Sequence, residues 1–156
     1  MNTMKHLITI LSCFICIQLF ACCNKSSEMT SNPNNASITN SMKLKITIGT
    51  NTFTATPYDN ATVTAFKTTL PVTLKMRELN GNEKYFDLPN NLPANASNPG
   101  TIQSGDLMLY ETNTLVLFYK SFSTSYSYTR LARIDNPSGL AAALGSGNVT
   151  VTFDVE

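Results

Sequence analysis

Charged side chains are scarce in this sequence of 156 residues. Lys, Arg, Asp and Glu together make up 13% of it, about half the share that is usual for soluble chains, and the formal net charge is +1. The sequence contains no arginine cluster or basic stripe that would neutralise phosphate groups. We therefore predict no nucleic-acid partner.

Cysteine, histidine and tryptophan are missing from the body of the chain. All four cysteines lie within the first 23 residues, the single histidine is His6, and there is no tryptophan. A disulfide framework, a thiolate metal site and a Ser-His-Asp triad are thereby excluded from the rest of the sequence. Gly145-Ser146-Gly147 follows a predicted helix and so does not form a phosphate-binding loop. We predict no metal, no cofactor and no catalytic residues.

Residues 1–21 have the pattern of an export signal. Lys5 supplies a positive start, and Leu7–Phe20 is an apolar run of 14 residues, shorter than the roughly 20 residues of a membrane-spanning helix. The run ends in Leu19-Phe20-Ala21-Cys22, which resembles the lipobox of bacterial lipoproteins. We predict lipidation at Cys22, with Cys23 as the fallback acceptor. The alternatives are an ordinary cleaved signal peptide and an uncleaved anchor.

Residues 22–42 contain this cysteine and a stretch of Ser, Asn and Thr without apolar periodicity. Such composition is typical of a flexible tether. Diacylglycerol on the thiol and palmitate on the freed amine would hold the chain stably to a membrane. We expect a lipoprotein of the bacterial cell envelope that faces the periplasm or the exterior.

Residues 43–156 form one predicted domain, in which apolar and polar side chains alternate in short stretches typical of half-buried strands. Two short helices are predicted, Ala61–Leu70 with Asp59 or Asn60 as its cap, and Leu140–Leu144 after an Asn136-Pro137 cap. About eight short strands predict an all-β, mainly antiparallel barrel with the helices at its ends. The strand stretches are Lys43–Ile48, Thr52–Thr56, Val72–Arg77, Lys84–Leu88, Gly105–Tyr110, Thr114–Lys120, Tyr128–Ile134 and Val149–Glu156.

The densest apolar material lies in residues 99–135. Leu115–Tyr119 is apolar on both faces, which predicts a central strand covered on both sides. The preceding residues 89–100, with three prolines, predict a long irregular loop. This loop is either functional or a surface connection with Leu92 tucked beneath it.

Several motifs together resemble the bacterial cyclophilin-like domain. They are the helix segment Asp59–Leu70 with its following strand, and the runs PGTI, SGDLMLY, LVLFY, TSYSYTRLARID and GLAAALGSGNVTV, which together cover Lys43 to about Phe153. The resemblance implies a closed eight-stranded barrel with two capping helices, as in cyclophilins. The resemblance implies a fold but no particular activity, because the family has no assigned biochemical role. Some relatives are attached to flavodoxin-like proteins, which suggests a flavodoxin-like redox partner as one alternative.

True cyclophilins isomerise Xaa-Pro bonds with an arginine on the strand after the first helix. Here Arg77 is the nearest candidate on that strand, and the Phe-His-Arg triplet that carries the cyclophilin arginine is missing. Histidine and tryptophan, which complete the cyclophilin pocket, are also missing from the predicted mature chain. A divergent peptidyl-prolyl isomerase is therefore the less favoured alternative.

The segment Ser121–Arg130 is the best candidate for a ligand surface. The segment offers tyrosine rings for stacking on a ligand, serine hydroxyls for hydrogen bonds and an arginine for binding an anion. The alternative is an edge strand with alternating surface tyrosines. We predict a non-catalytic binding or accessory domain for a peptide or small ligand. The predicted surface comprises Tyr119, Ser123, Ser125, Tyr126, Tyr128 and Arg130.

Overall fold

A computed structural model describes residues 42–156. The predicted signal peptide, Cys22 and nearly all of the predicted tether lie outside the described residues. Within residues 42–156, no helix is both long enough and apolar enough to cross a membrane.

The described residues form ten strands and two short helices. In chain order these are β1 (Leu44–Ile48), β2 (Asn51–Pro57), α1 (Ala61–Lys67), β3 (Val72–Leu79), β4 (Glu83–Asp87), β5 (Thr101–Ile102), β6 (Asp106–Tyr110), β7 (Thr114–Phe118), β8 (Phe122–Ser123), β9 (Tyr128–Ile134), α2 (Leu140–Leu144) and β10 (Val149–Val155).

Eight of these strands close into an antiparallel barrel, which confirms the predicted fold class. The order around the barrel is β1-β10-β3-β4-β7-β6-β9-β2, and β2 pairs back to β1. The other two strands, β5 and β8, lie outside the barrel and pair with each other as a small two-stranded sheet.

Strand alternation divides the apolar side chains into two groups. The barrel interior is filled by side chains from all eight of its strands together with α1 and α2, including Ile46, Phe66 and Phe153, which are fully buried. A second group, here called the outer cluster, covers the outer face of β6, β7 and β9. The outer cluster consists of Ile102, Met108, Val116, Phe118 and Tyr128.

Helix α1 is capped as predicted but is shorter than predicted. The Asn60 side chain accepts a hydrogen bond from the Val63 amide at 2.9 Å, and its own amide group donates to the Arg130 carbonyl at 2.9 Å. The predicted end at Leu70 is wrong, because the helix ends at Lys67. The amides of Thr68 and Thr69 bond to carbonyls three residues earlier, which tightens the last turn out of α-helical geometry.

Helix α2 has the predicted bounds, but its predicted cap is wrong. Gly139, in the left-handed region, precedes the first helical residue and makes no side-chain cap bond. Asn136 instead closes a local turn, since its side-chain oxygen accepts from the Ser138 amide at 3.1 Å. Gly145 ends the helix at a φ of 60°, as predicted.

The long loop before β5 contains no regular element apart from one bridge between Ser97 and Tyr128. Leu92 is buried beneath it, as predicted. β3 extends two residues beyond the predicted end at Arg77, so that Arg77 lies within the strand.

Candidate functional site

A groove of about 550 Å³ opens on the outer face of the barrel, beside the outer cluster. Side chains of β4, β6, β7 and β9 form its floor and walls, and the chain segment from Phe122 to Tyr126 forms its far side. The lining residues are Leu79, Asn80, Glu83, Tyr85, Asp87, Tyr110, Thr114, Val116, Phe122, Ser123, Thr124, Ser125, Tyr126 and Tyr128.

Strand register explains why these side chains meet. Successive residues of a strand point to opposite faces of the sheet, so Glu83, Tyr85 and Asp87 share the outer face of β4. Antiparallel pairing then aligns each of them with outward-facing residues of the neighbouring strands. The resulting rows are Asp87–Thr114–Tyr110–Tyr128 and Tyr85–Val116–Met108.

Three tyrosines form one connected aromatic wall. The ring centroids of Tyr110 and Tyr126 lie 6.1 Å apart at an interplanar angle of 87°, and those of Tyr110 and Tyr128 lie 5.6 Å apart at 53°. Tyr128 is buried, whereas Tyr126 is 61% exposed. The wall therefore has a fixed base in the outer cluster and a solvent-facing rim.

Local hydrogen bonds hold the segment after β8 against the groove. The Thr124 amide donates to the Gly100 carbonyl at 3.0 Å, and the Tyr126 amide donates to the Thr124 hydroxyl at 3.1 Å. The second bond is a turn of the type that Ser and Thr side chains form with the backbone two residues on. These bonds place Ser123, Ser125 and Tyr126 along one side of the groove.

Glu83 is the unusual charged group of the groove. The residue is largely buried, with 9% of it exposed, and its side chain forms no hydrogen bond or ion pair with any described residue. The Glu83 oxygens are not among the fully buried unpartnered atoms, which are Asn82 Oδ1 and Asp106 Oδ1, so the groove reaches them. Burial, together with the charge of Glu78, raises the pKa of Glu83 to about 7. Burial and then the Glu83 charge raise the pKa of Tyr128, which lies across the groove.

Asp87, the second carboxylate of the groove, is fully partnered. Arg77 Nη2 lies 2.5 Å from Asp87 Oδ2, and the Thr114 hydroxyl donates to Asp87 Oδ1 at 2.8 Å. The Arg77 guanidinium also lies over the Tyr85 ring, 4.4 Å from its centroid. Arg77 thus borders the groove with its charge already balanced.

The geometry of the barrel agrees with a family comparison. A model described as the cyclophilin-like family matches residues 46–154, from within β1 to within β10. The chain belongs to the cyclophilin-like family. No curated protein and no solved structure matches the sequence.

Four of the six predicted surface residues of this cyclophilin-like domain line the groove, namely Ser123, Ser125, Tyr126 and Tyr128. Tyr119 and Arg130 lie elsewhere. Tyr119 points inward, because alternation puts it on the same face as Leu115 and Leu117. Arg130 Nη1 donates to the Tyr58 hydroxyl at 3.3 Å, and its guanidinium lies 5.8 Å from the Tyr58 ring centroid.

The groove residues that sequence reasoning missed include Glu83, Tyr85, Asp87 and Tyr110. The run Glu83–Asp87 alternates in a way that puts both of its carboxylates and its tyrosine on one face. The alternation can be read from the sequence, but the sequence does not show which strand pairs with β4. The pairing of β4 with β7 brings these side chains against Val116 and Thr114.

A second polar group lies at the barrel end next to α2 and is fully satisfied. Lys84 is completely buried, and its ammonium donates to the Glu78 carboxylate, to the Gly145 carbonyl at 2.8 Å and to the Gly147 carbonyl at 2.6 Å. The Tyr119 hydroxyl donates to both Glu78 oxygens at 2.9 and 3.0 Å. Although burial opposes it, hydrogen bonding to Lys84 and Tyr119 lowers the pKa of Glu78. This cluster joins the end of α2 to the barrel.

Asp106, at the start of β6, closes a turn with Gln103. Its Oδ2 accepts from the Gln103 amide at 2.8 Å, and its own amide donates to the Gln103 carbonyl at 3.0 Å. No group of three or more His, Cys, Asp or Glu side chains that is suited to a metal occurs within residues 42–156.

Proposed function

We propose that this cyclophilin-like domain is a binding module that holds a small ligand or a short peptide segment in the groove. The observation that carries the proposal is a concave surface with an apolar floor and a buried, unpartnered carboxyl group, Glu83. Protein sites for small ligands combine these features, with apolar area for affinity and a few polar groups for orientation.

The size and composition of the groove support this proposal. Its volume of about 550 Å³ lies within the usual range of ligand sites. Val116 and the rings of Tyr110 and Tyr128 offer apolar contact area, and Ser123 and Ser125 offer hydroxyl groups at the opening. The closed barrel beneath supplies a rigid support, which reduces the entropy lost on binding.

The environment of Arg77 supports binding over prolyl isomerisation. Polarising a proline nitrogen requires a guanidinium whose donors face the substrate. The Arg77 guanidinium instead contacts Asp87 and Tyr85, and both of these side chains line the groove. We therefore propose a non-catalytic role.

The proposal includes anchoring of the module in the bacterial cell envelope through a lipid on Cys22. It is supported by the sequence Leu19-Phe20-Ala21-Cys22 at the end of an apolar run. Metabolic labelling with a fatty acid should mark the unmodified protein and the Cys23→Ser variant, whereas Cys22→Ser should lose the label. Equal labelling of both variants would contradict lipidation at Cys22.

A ligand screen tests the binding function directly. The purified protein would be mixed with a library of small molecules and Xaa-Pro-containing peptides, and binding would be detected by ligand-observed NMR. The matched variants are Tyr126→Ala at the groove rim and Val155→Ala, which removes an exposed apolar side chain on β10. We expect ligands whose binding weakens in Tyr126→Ala and is unchanged in Val155→Ala. A screen whose ligands respond equally to both variants would refute the groove as the site.

A further inference from the structure

We propose that the groove recognises a small organic cation, whose ammonium group lies between the Glu83 carboxylate and the tyrosine rings. This inference rests on the binding function proposed above and names the chemical class of the ligand. It is carried by three observations on the described residues: an unpartnered buried carboxyl group, an aromatic wall, and the charge balance of the lining.

Glu83 supplies the counter-charge. A buried carboxylate is costly unless a cation or hydrogen-bond donors accompany it. The other buried ionisable side chain of β4, Lys84, has three acceptors, whereas Glu83 contacts neither a cation nor a donor among the described residues. Its side chain lines the groove, so a ligand is the available source of a positive partner.

The tyrosines supply a surface that attracts cations. The face of an aromatic ring carries negative charge density, and several rings around one space favour ammonium groups. Along one side of the groove, the Tyr110 ring contacts the rings of both Tyr126 and Tyr128. Tyr85, on the β4 side, already accepts the Arg77 guanidinium at 4.4 Å, an example of the same interaction at this site.

The charge balance of the lining agrees with a cationic ligand. The described residues that line the groove include two carboxylates, Glu83 and Asp87, and no Lys, Arg or His. The adjacent Arg77 balances Asp87 through their 2.5 Å contact. One negative charge therefore remains when Glu83 is ionised, and a ligand with one positive charge would neutralise the site.

The test compares a cation with its neutral isostere. Choline and 3,3-dimethylbutan-1-ol have nearly the same shape and differ in charge, so any preference for choline reports on charge recognition. Both would be titrated into the purified protein at about pH 8, where Glu83 with its pKa of about 7 is ionised, and n-butylamine would be titrated as a primary ammonium probe. Amide chemical shifts of the protein report both affinity and location.

We expect choline or n-butylamine to shift groove amides and to bind at least about tenfold more tightly than the neutral isostere. Glu83→Gln should remove that preference while Asp59→Asn, which changes an exposed carboxylate outside the groove, should keep it. Equal affinity of choline and its isostere in the groove would overturn the inference while leaving the binding function intact. If none of the probes shifts groove amides and the library screen also finds no groove ligand, both proposals fail.

Discussion

The buried Glu83 carboxyl group should make the stability of the protein depend on pH in a direction opposite to that of ordinary acid denaturation. Its pKa rises from 4.5 in the unfolded chain to about 7 in the folded protein. Below about pH 4.5 the group is protonated in both the folded and the unfolded state, so its ionisation does not change the free energy of unfolding. Between these values only the folded state keeps the proton, so the free energy of unfolding falls as pH rises through this window.

The size of this effect follows from the difference between the two pKa values. One pKa unit corresponds to about 1.4 kcal/mol, so the shift of Glu83 corresponds to a loss of about 3 kcal/mol once the pH exceeds 7. The Glu83→Gln variant cannot ionise at this position and should escape the loss. We therefore expect it to be more stable than the unmodified protein at about pH 8 and nearly equal to it at about pH 4.5.

Urea unfolding, followed by tyrosine fluorescence and circular dichroism, measures this difference. Glu78 and Asp135 have lowered pKa values and oppose the trend, because the stability that they contribute is lost as pH falls. These groups are the same in both proteins, so the difference between the two stability curves isolates Glu83. Asp59→Asn is the matched control for removing an exposed carboxylate. A difference that stays constant within about 0.5 kcal/mol from about pH 5 to about pH 8 would refute the reasoning.

Three further predictions concern the barrel and the alternative function. Lys84→Met should lower the free energy of unfolding by about 3–5 kcal/mol, because it leaves buried acceptors unpaired, whereas Met at the exposed Lys75 should have little effect in the same urea assay. Gly105→Ala should cost about 1–3 kcal/mol more than Gly100→Ala. Both glycines have positive φ, but only at Gly105 would an added Cβ meet close neighbours, the nearest being the Ile134 Cβ at 3.1 Å. Equal losses of unfolding free energy in the two variants would contradict this explanation. In the presence of the protein, Xaa-Pro bonds of peptides should isomerise with their uncatalysed time constant of tens to hundreds of seconds. An acceleration that disappears in Arg77→Ala would instead support the isomerase alternative.

The fold was predictable because several strands alternate between apolar and polar side chains. β10 is the clearest case: Val151 and Phe153 are buried inside the barrel, while Thr152 and Asp154 between them are partly exposed. One predicted helix end and one predicted helix cap failed where side chains compete with the backbone for hydrogen bonds. Thr68 and Thr69 shortened α1 in this way, and Asn136 formed its own turn instead of capping α2.

The candidate site was predictable only in the half that is contiguous in sequence. Ser121–Arg130 was predicted as a ligand surface from its dense polar and aromatic side chains, and six residues of this segment line the groove. Glu83 and Tyr85 lie about 40 residues earlier in the chain and reach the same groove only through the β4–β7–β6–β9 pairing. Local composition carries no information on such long-range register, so the Glu83 carboxyl group was not predicted as part of the site.

The most direct test of the binding function is to map where a ligand from the screen contacts the protein. Amide chemical-shift changes would be recorded for each binding molecule and assigned along residues 42–156. We expect the changes to concentrate on β4, on β7 and on the segment from Phe122 to Tyr126. Changes centred instead on the smaller cavity of about 350 Å³, which is lined by residues including Pro57 and Tyr58, or spread evenly over the barrel, would contradict the groove as the ligand site.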